Sequence, residues 1–366
     1  MTRARSPRLP LPATDLVQLR ERVRATADNR PGVYRMVDAT GQVLYVGKAK
    51  RLRTRLLSYF RAAYPDDKAG RILHAAHDIT WEYAPSEFAA YLGELRQIRR
   101  FRPCFNHRLN RTRRSVLIKV SGGSAPRVYS GATLARDDRR AYGPFRSLGR
   151  TKEAVRVLAD LLGIRDCAAA MPIVYAGQGD LFPRARQAAC ARHEFGLCTG
   201  PCAGLVSQWE YGRQVDTAMA FLEGRTIQPI DRVVRAMQAA AECGAFELAT
   251  RWREKFEQLE WLLAAASRAR AAVDLLTFVY RDPGDFGDER IYLIRRGVAV
   301  ATFPYPTTPI EHEAFRGVVI AEAATPQPEP GPLPLDSIDE MLLVMSWFRQ
   351  HPDALKRTTT YDQWLR

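Results

Sequence analysis

Residues 31–60 read PGVYRMVDATGQVLYVGKAKRLRTRLLSYF. Two β-branched runs, 33–37 and 43–46, flank Asp38, Thr40 and Gly41, the composition of a hairpin with a tight turn. A turn flanked by Asp38 and Gly41 sets Tyr34 opposite Tyr45. A shift of two residues would still leave both phenols on one face, because strand side chains alternate with period two. Gly47 is expected to let the backbone turn tightly, with Lys48 directly after it. Residues 49–60 then place Leu52, Leu56 and Phe60 on one side and Arg51, Arg53 and Arg55 over the rest. That is the spacing of a basic amphipathic helix.

Upstream, residues 1–13 read as a loose basic arm, and 15–27 carry Leu16, Leu19 and Val23 at helical spacing. Downstream, 79–83 form a third strand candidate. Ser86 caps a helix running to about Arg100, and Pro103 bars its continuation. On that helix Glu94 lies one turn from Tyr91 and from Ile98, at the margin of the buried face, where a carboxylate can point into a cleft.

Phosphodiester cleavage needs this inventory: a base for water, a cation at phosphorus, and a metal to carry charge. Tyr34 or Lys48 serves as base if its pKa falls from about 10. Arg55 can hold the phosphate. Glu94 can hold one Mg²⁺ (or Mn²⁺), since Mg²⁺ keeps several waters and takes only one or two carboxylates.

PGVY, LYVGKAKRLRTRLLSYF and SEFAAYLGELRQIRRFRPCFN, in this order and spacing, resemble the GIY-YIG nuclease domain in its UvrC and Cho form. The resemblance implies a small antiparallel sheet flanked by helices. It also implies a catalytic set of Tyr34, Tyr45, Lys48, Arg55, Tyr59, Glu94 and Asn106. In that set Tyr34 is the base, Arg55 contacts phosphate, Glu94 is the single metal ligand, and Asn106 closes the module. Two positions depart from the pattern: Ala89 stands where relatives often have an acid, and Gly93 weakens the helix by about 1 kcal/mol relative to Ala.

Cys167, Cys190, Cys198 and Cys202 are separated by 22, 7 and 3 residues. Thiolates suit Fe–S clusters or Zn²⁺. Only Cys198 and Cys202 have the close spacing usual in structural zinc sites, and His193 offers a further zinc ligand. Fe–S, zinc and unliganded thiols all remain open on this chemistry. AYGPFRSLGRTKEAVRVLADLLGIRDC followed by CARHEFGLCTGPCAG resembles the region after the nuclease module in UvrC, and that implies a [4Fe–4S] cluster on the four cysteines. Cys104 and Cys243 lie outside the pattern and are expected to be half-buried structural thiols.

FLEGRTIQPIDRVVRAMQAAAECGAFELATRWREKFEQLEWL carries helix-spaced apolar residues, with a reversal at Gly244. An ordinary core hairpin fits this pattern. It also resembles the UVR motif, which implies docking on a matching hairpin of UvrB. Similarity to UvrC continues to about residue 304. The RNase H-like half and the helix-hairpin-helix pair are not found beyond it, so one nuclease centre is expected. Ser337 and Glu340 predict a capping box for a last apolar helix.

The whole reads as an α+β multidomain chain. Its parts are an arm and helix (1–28), a GIY-YIG domain (29–110), a Cys-rich Fe–S domain (111–206), a UVR-like hairpin (207–270), a β-containing segment (271–325), and a Pro-rich linker with a C-terminal helix (326–366). The net charge of +15 rests on Arg far more than Lys. Arg forks bind phosphate bidentately, so damaged double-stranded DNA is the expected partner, alongside UvrB. No run of about 20 apolar residues and no secretory signal are found, so a membrane is not expected and a cytoplasmic setting without disulfides is. Two rival readings remain: a non-catalytic adaptor for UvrB and DNA, and a standalone nuclease for branched or single-stranded DNA.

Overall fold

The computed structural model describes residues 13–106, 115–177, 190–325 and 331–365. The basic arm up to residue 12, the basic stretch 108–114 and positions 326–330 of the Pro-rich linker lie outside the described residues. The chain divides into two units. One combines 1–111, 276–325 and 339–366, and the other combines 112–275 and 326–338. No helix among the described residues is long and apolar enough to cross a membrane.

The first unit opens with α1 (Ala13–Thr26), β1 (Gly32–Val37) and β2 (Val43–Ala49). Asp38 builds the hairpin turn: its Oδ1 accepts the N–H of Thr40 at 2.9 Å and of Gln42 at 3.0 Å. Gly41 supplies the left-handed φ of +79°. This turn spans 38–42, longer than the expected one, and the register moves by two residues. Tyr34 pairs with Gly47, and Met36 pairs with Tyr45. Because the shift is even, both tyrosines keep one face.

The elements α2 (Leu52–Tyr59), α3 (Lys68–Ala75), β3 (Asp78–Tyr83) and α4 (Glu87–Phe101) follow, with sheet order β2-β1-β3. α2 begins at Leu52, not at 49, because β2 runs on through Ala49. Ser86 Oγ caps α4 by accepting the Ala89 N–H at 3.0 Å, and Arg102 at φ +44° ends it before Pro103. Alternation along β1 sends Tyr34 and Met36 to a core with Leu52, Leu56 and Ile72. It sends Val33 to the opposite face, with Val46 and Ala90 of α4. A Cβ on Gly93 would meet Val33 Cγ2 at 3.1 Å. The residue that weakens α4 therefore also lets it lie close to the sheet.

The second unit contains β4 (Val116–Ser121), β5 (Val128–Gly131) and β6 (Asp138–Phe145) in the order β5-β4-β6. Helices α5 (Leu148–Leu161), α6 (Ala191–Glu194), α7 (Gln208–Leu222), α8 (Gln228–Glu242) and α9 (Phe246–Asp274) complete it. Gly163 at φ +68° follows α5, and Gly244 at φ +71° reverses the chain between α8 and α9. Val116, Leu158, Tyr211, Phe221 and Leu259 share one core. The segments 111–206 and 207–270, set apart in the sequence reading, are packed together here, because α7 and α9 bring their apolar faces to the same sheet and helix α5.

The first unit resumes with β7 (Phe278–Asp282), β8 (Arg290–Arg295), β9 (Val298–Pro304), α10 (Pro309–Ala324), α11 (Ile338–Gln350), α12 (Pro352–Leu355), β10 (Thr358–Thr359) and α13 (Tyr361–Leu365). Its antiparallel sheet has the order β10-β7-β8-β9. One face packs on α10 and α13 through Val279, Ile291 and Leu293. The other, with Tyr280 and Tyr292, takes both α11 and Phe88 of α4. Phe88 is fully buried, 5.2 Å from the Tyr280 ring, 5.0 Å from Tyr292 and 5.3 Å from Trp347. Burying one such side chain contributes about 2–3 kcal/mol. Ser86 Oγ also donates to Asp282. So 276–325 and 339–366 join the nuclease-type module instead of standing apart from it. Glu340, expected in a capping box on Ser337, instead accepts the Ala299 N–H and pairs with Arg96, each at 3.1 Å. Among the described residues, capping boxes form between Ser207 and Glu210 and between Thr308 and Glu311.

Candidate active site

Two strands and one helix of the first unit meet at a triangle of phenols. Tyr34 comes from β1, Tyr45 from β2 and Tyr59 from the end of α2. Their ring centroids lie 6.2 Å (Tyr34–Tyr45), 5.8 Å (Tyr34–Tyr59) and 6.4 Å (Tyr45–Tyr59) apart. Tyr34 and Tyr59 are buried, and their hydroxyls share a hydrogen bond of 2.8 Å. Arg55, one helical turn before Tyr59, donates from Nε to the Tyr34 hydroxyl at 3.3 Å. Its guanidinium lies 5.1 Å from the Tyr59 ring centroid.

Gly47 has a role the sequence reading gave it for the wrong reason. It sits inside β2, paired with Tyr34, and makes no turn. A Cβ there would lie 2.5 Å from the Tyr34 phenol carbon and oxygen. The missing side chain is the space the phenol occupies. Asn106 does not reach the phenols. Its side chain accepts the Val46 N–H and donates to the Val46 carbonyl, both at 2.9 Å. β2 is an edge strand, so Asn106 satisfies both backbone groups of the residue between Tyr45 and Gly47, as a neighbouring strand would.

Glu94 reaches the same place from α4, half-buried. Burial pushes its carboxyl above the ordinary 4.5, against the Lys48 charge, the Lys48 backbone N–H and the Arg55 charge, which pull it down. Burial also raises all three phenols, with Arg55 opposing at each. The lowered phenol pKa expected of a base is therefore not found: desolvation outweighs the nearby cation. Among the described residues no cluster of three or more His, Cys, Asp or Glu is arranged to hold a metal ion. One carboxylate fits a site that keeps waters on the ion.

Sequence reasoning missed two neighbours. Lys68, at the start of α3, has its ammonium 5.6 Å from the Tyr45 ring centroid. Tyr91 carries the Lys48 ammonium 3.2 Å from its own ring centroid. The only signal for Tyr91 was its position one turn before Glu94.

The four cysteines lie in the second unit. Burial raises the Cys198 thiol, and Cys167, Cys190 and Cys202 add to the shift by charge. Arg165 Nη1 donates to Cys167 Sγ at 3.1 Å, and the Gly200 N–H to Cys198 Sγ at 3.5 Å. N–H donors thus point at two of the four thiols, and among the described residues the four are not grouped to hold a metal ion. His193 turns Nδ1 to the Cys198 carbonyl, 3.1 Å away. Cys104 and Cys243 are exposed, contrary to expectation. Cys104 follows the end of α4, and Cys243 lies in the exposed turn of the α8–α9 hairpin.

Comparison with known proteins gives two domain matches: the UvrC-like GIY-YIG domain over residues 30–107 and the UvrC/Cho excinuclease middle domain over 116–221. UvrABC system protein C of Edwardsiella ictaluri is 36% identical over 235 residues, covering 63% of this chain and 36% of that protein. The counterpart from Histophilus somni is 31% identical over 261 residues, covering 70% of this chain and 41% of the relative. The chain thus spans well under half the length of the curated relatives it matches. A solved magnesium-bound GIY-YIG N-terminal endonuclease domain of UvrC from Thermotoga maritima is 33% identical. It covers 24% of this chain and 96% of its own, with a TM-score of 0.22.

Proposed function

From the matches of residues 30–107 to the UvrC-like GIY-YIG domain and of 116–221 to the UvrC/Cho middle domain, we propose that the protein is a divalent-cation-dependent DNA endonuclease of nucleotide excision repair. It incises one strand on the 3′ side of a lesion and is recruited there by UvrB. The observation that carries this reading is the convergence of Tyr34, Tyr45, Tyr59, Arg55, Lys48 and Glu94, from four separate elements, on one site. An adaptor has no need of that set.

In this reading Arg55 holds the scissile phosphate, and its contact with the Tyr34 hydroxyl sets that oxygen beside the phosphorus. In its ionised form, with its own proton given up to solvent, Tyr34 takes the proton of the attacking water, and Tyr59, at hydrogen-bond distance, holds the oxygen in place. Lys48 adds positive charge where the phosphoryl oxygens gain negative charge. Asn106 keeps β2 straight, so that Tyr45 and Gly47 stay in register. A Mg²⁺ or Mn²⁺ ion on Glu94 would supply charge for the leaving oxygen and favour the ionised form of the nearby phenols. Incubating the protein with Mg²⁺ and lesion-bearing duplex, with and without UvrB, tests the proposal. Nicking near the lesion that depends on Mg²⁺ and rises with UvrB is expected. No nicking under any condition supports the adaptor. Nicking indifferent to UvrB and to lesions supports a standalone nuclease.

Cys167, Cys190, Cys198 and Cys202 would hold a [4Fe–4S] cluster. The soft four-thiolate donor set supports this, as do the N–H donors on Cys167 and Cys198, of the kind that tune such clusters; the cluster would draw together thiols that are not grouped for a metal in this structure. Anaerobically purified protein is expected to be brown, with about four irons per chain. Cys198→Ala should bleach it and destabilise the second unit. One zinc and no iron by metal analysis would replace the cluster with a structural zinc site.

The α8–α9 hairpin is the proposed UvrB-docking element. Phe246 is 72% exposed and Leu248 47% exposed beside its turn, so Phe246 is not buried between the helices. Phe246→Ser should leave the fold and the nicking of naked DNA unchanged and lower incision of UvrB-bound lesions. Equal UvrB-dependent incision by the variant would remove the docking role. The basic surface supplies sequence-independent affinity, falling by about 0.9 log unit per log unit of salt for each phosphate neutralised.

A further inference from the structure

Lys48 faces two ways. Its backbone N–H helps hold down the Glu94 carboxyl against the rise that burial causes, while its ammonium lies 3.2 Å from the centroid of the Tyr91 ring. The Lys48 charge still acts on the Glu94 carboxyl from there, but no ion pair within 4.0 Å joins the two among the described residues. Tyr91 and Glu94 are three residues apart on α4 and therefore share a face. The Tyr91 ring rests against Trp347 of α11, with centroids 5.6 Å apart and planes at 62°. Trp347 is fixed in turn by stacking on His351 at 3.9 Å.

The placement has a chemical consequence. An ammonium on the carboxylate would compete with a divalent cation for the same two oxygens. An ammonium on an aromatic face is stabilised by the ring quadrupole and is kept out of direct contact with the carboxylate oxygens. We propose that Tyr91 and Trp347 are positioning residues: Tyr91 holds the Lys48 ammonium off Glu94, and Trp347 fixes the Tyr91 ring. This gives helix α11 a part in the nuclease centre. The proposal rests on the reading of Glu94 as the metal ligand.

The test is Mn²⁺ binding to the DNA-free protein, followed by calorimetry, together with kcat and KM for nicking. Tyr91→Leu is expected to weaken Mn²⁺ about fivefold and lower kcat about tenfold, the scale of one lost cation–π contact, with KM for DNA unchanged. Trp347→Leu should give smaller losses of the same kind. Tyr91→Phe and Trp347→Phe keep a π face and should restore wild-type values. Tyr91→Met fills the same space without a π face and replaces Tyr91→Leu if that variant does not fold. In a Lys48→Met background, Tyr91→Leu should no longer affect Mn²⁺, since the competitor is gone. A purely structural Tyr91 would weaken Mn²⁺ equally in both backgrounds, and that result overturns the proposal. So does unchanged Mn²⁺ affinity in folded Tyr91→Leu beside a wild type that binds and nicks. Wild type that binds no Mn²⁺ registers separately and overturns the parent reading with it.

Discussion

Glu94→Gln is expected to abolish Mg²⁺-dependent nicking while the protein folds and binds DNA as before. The substitution keeps shape and volume and removes the single negative charge available to the cation. A residual rate within about tenfold of wild type, a change under about 1.4 kcal/mol in barrier, would show the ion is held elsewhere. Stability gives an independent readout. Burial raises the Glu94 carboxyl above its ordinary value. A folded pKa above the unfolded one contributes stability that is fully present below the unfolded pKa and is lost as pH rises through the folded pKa. At neutral pH the ionised carboxylate therefore works against the fold, and Gln relieves it. The variant should melt at or above the wild-type temperature near pH 7.5, with the difference shrinking as pH falls below the ordinary carboxyl range. A variant that is inactive because it is unfolded would show the opposite.

Tyr34→Phe should lower the cleavage rate by about 10²–10⁴-fold, the range for loss of a general base. The hydroxyl it removes receives the Arg55 Nε and bonds Tyr59, so both partners lose a contact inside the site. The stability cost is about 1 kcal/mol, too small to unfold the unit, and phosphate contacts from Arg55 remain to bind DNA. The expected signature is a fallen kcat with KM for DNA near wild type. A fall in binding alone, with kcat retained, would make Tyr34 a packing residue of the core. Tyr45 and Tyr59 would then be the phenols left to act.

The hairpin and both of its tyrosines were legible because the period of a strand forgives an even register error. The turn length was not legible, since it depends on how Asp38 folds back on Thr40 and Gln42. Gly47 was recognised as necessary but not as space for a ring, because its neighbour across the sheet depends on that same register. The Ser86 cap was local and read correctly. The association of α4 with β7, β8 and α11 was invisible, because Phe88 meets Tyr280 across 192 positions and Trp347 across 259, and no local pattern encodes it. The direction of the phenol shifts was missed for a related reason. Sequence shows the charges near Tyr34 but not its burial, and burial wins. Cys104 and Cys243 were read as half-buried on the habit of free cysteines, and local contacts left both exposed.

The central claim is that the phenol triangle, Arg55, Lys48 and Glu94 form one cation-dependent phosphodiesterase centre. Its most direct test is the single-turnover rate of nicking of an end-labelled lesion duplex by wild-type protein with UvrB, in Mg²⁺ and again in excess chelator. Strand cleavage in Mg²⁺ that disappears with the chelator and with Glu94→Gln is the expected result. Cleavage that survives both, or none in Mg²⁺ from a folded protein that binds the duplex, would contradict the account.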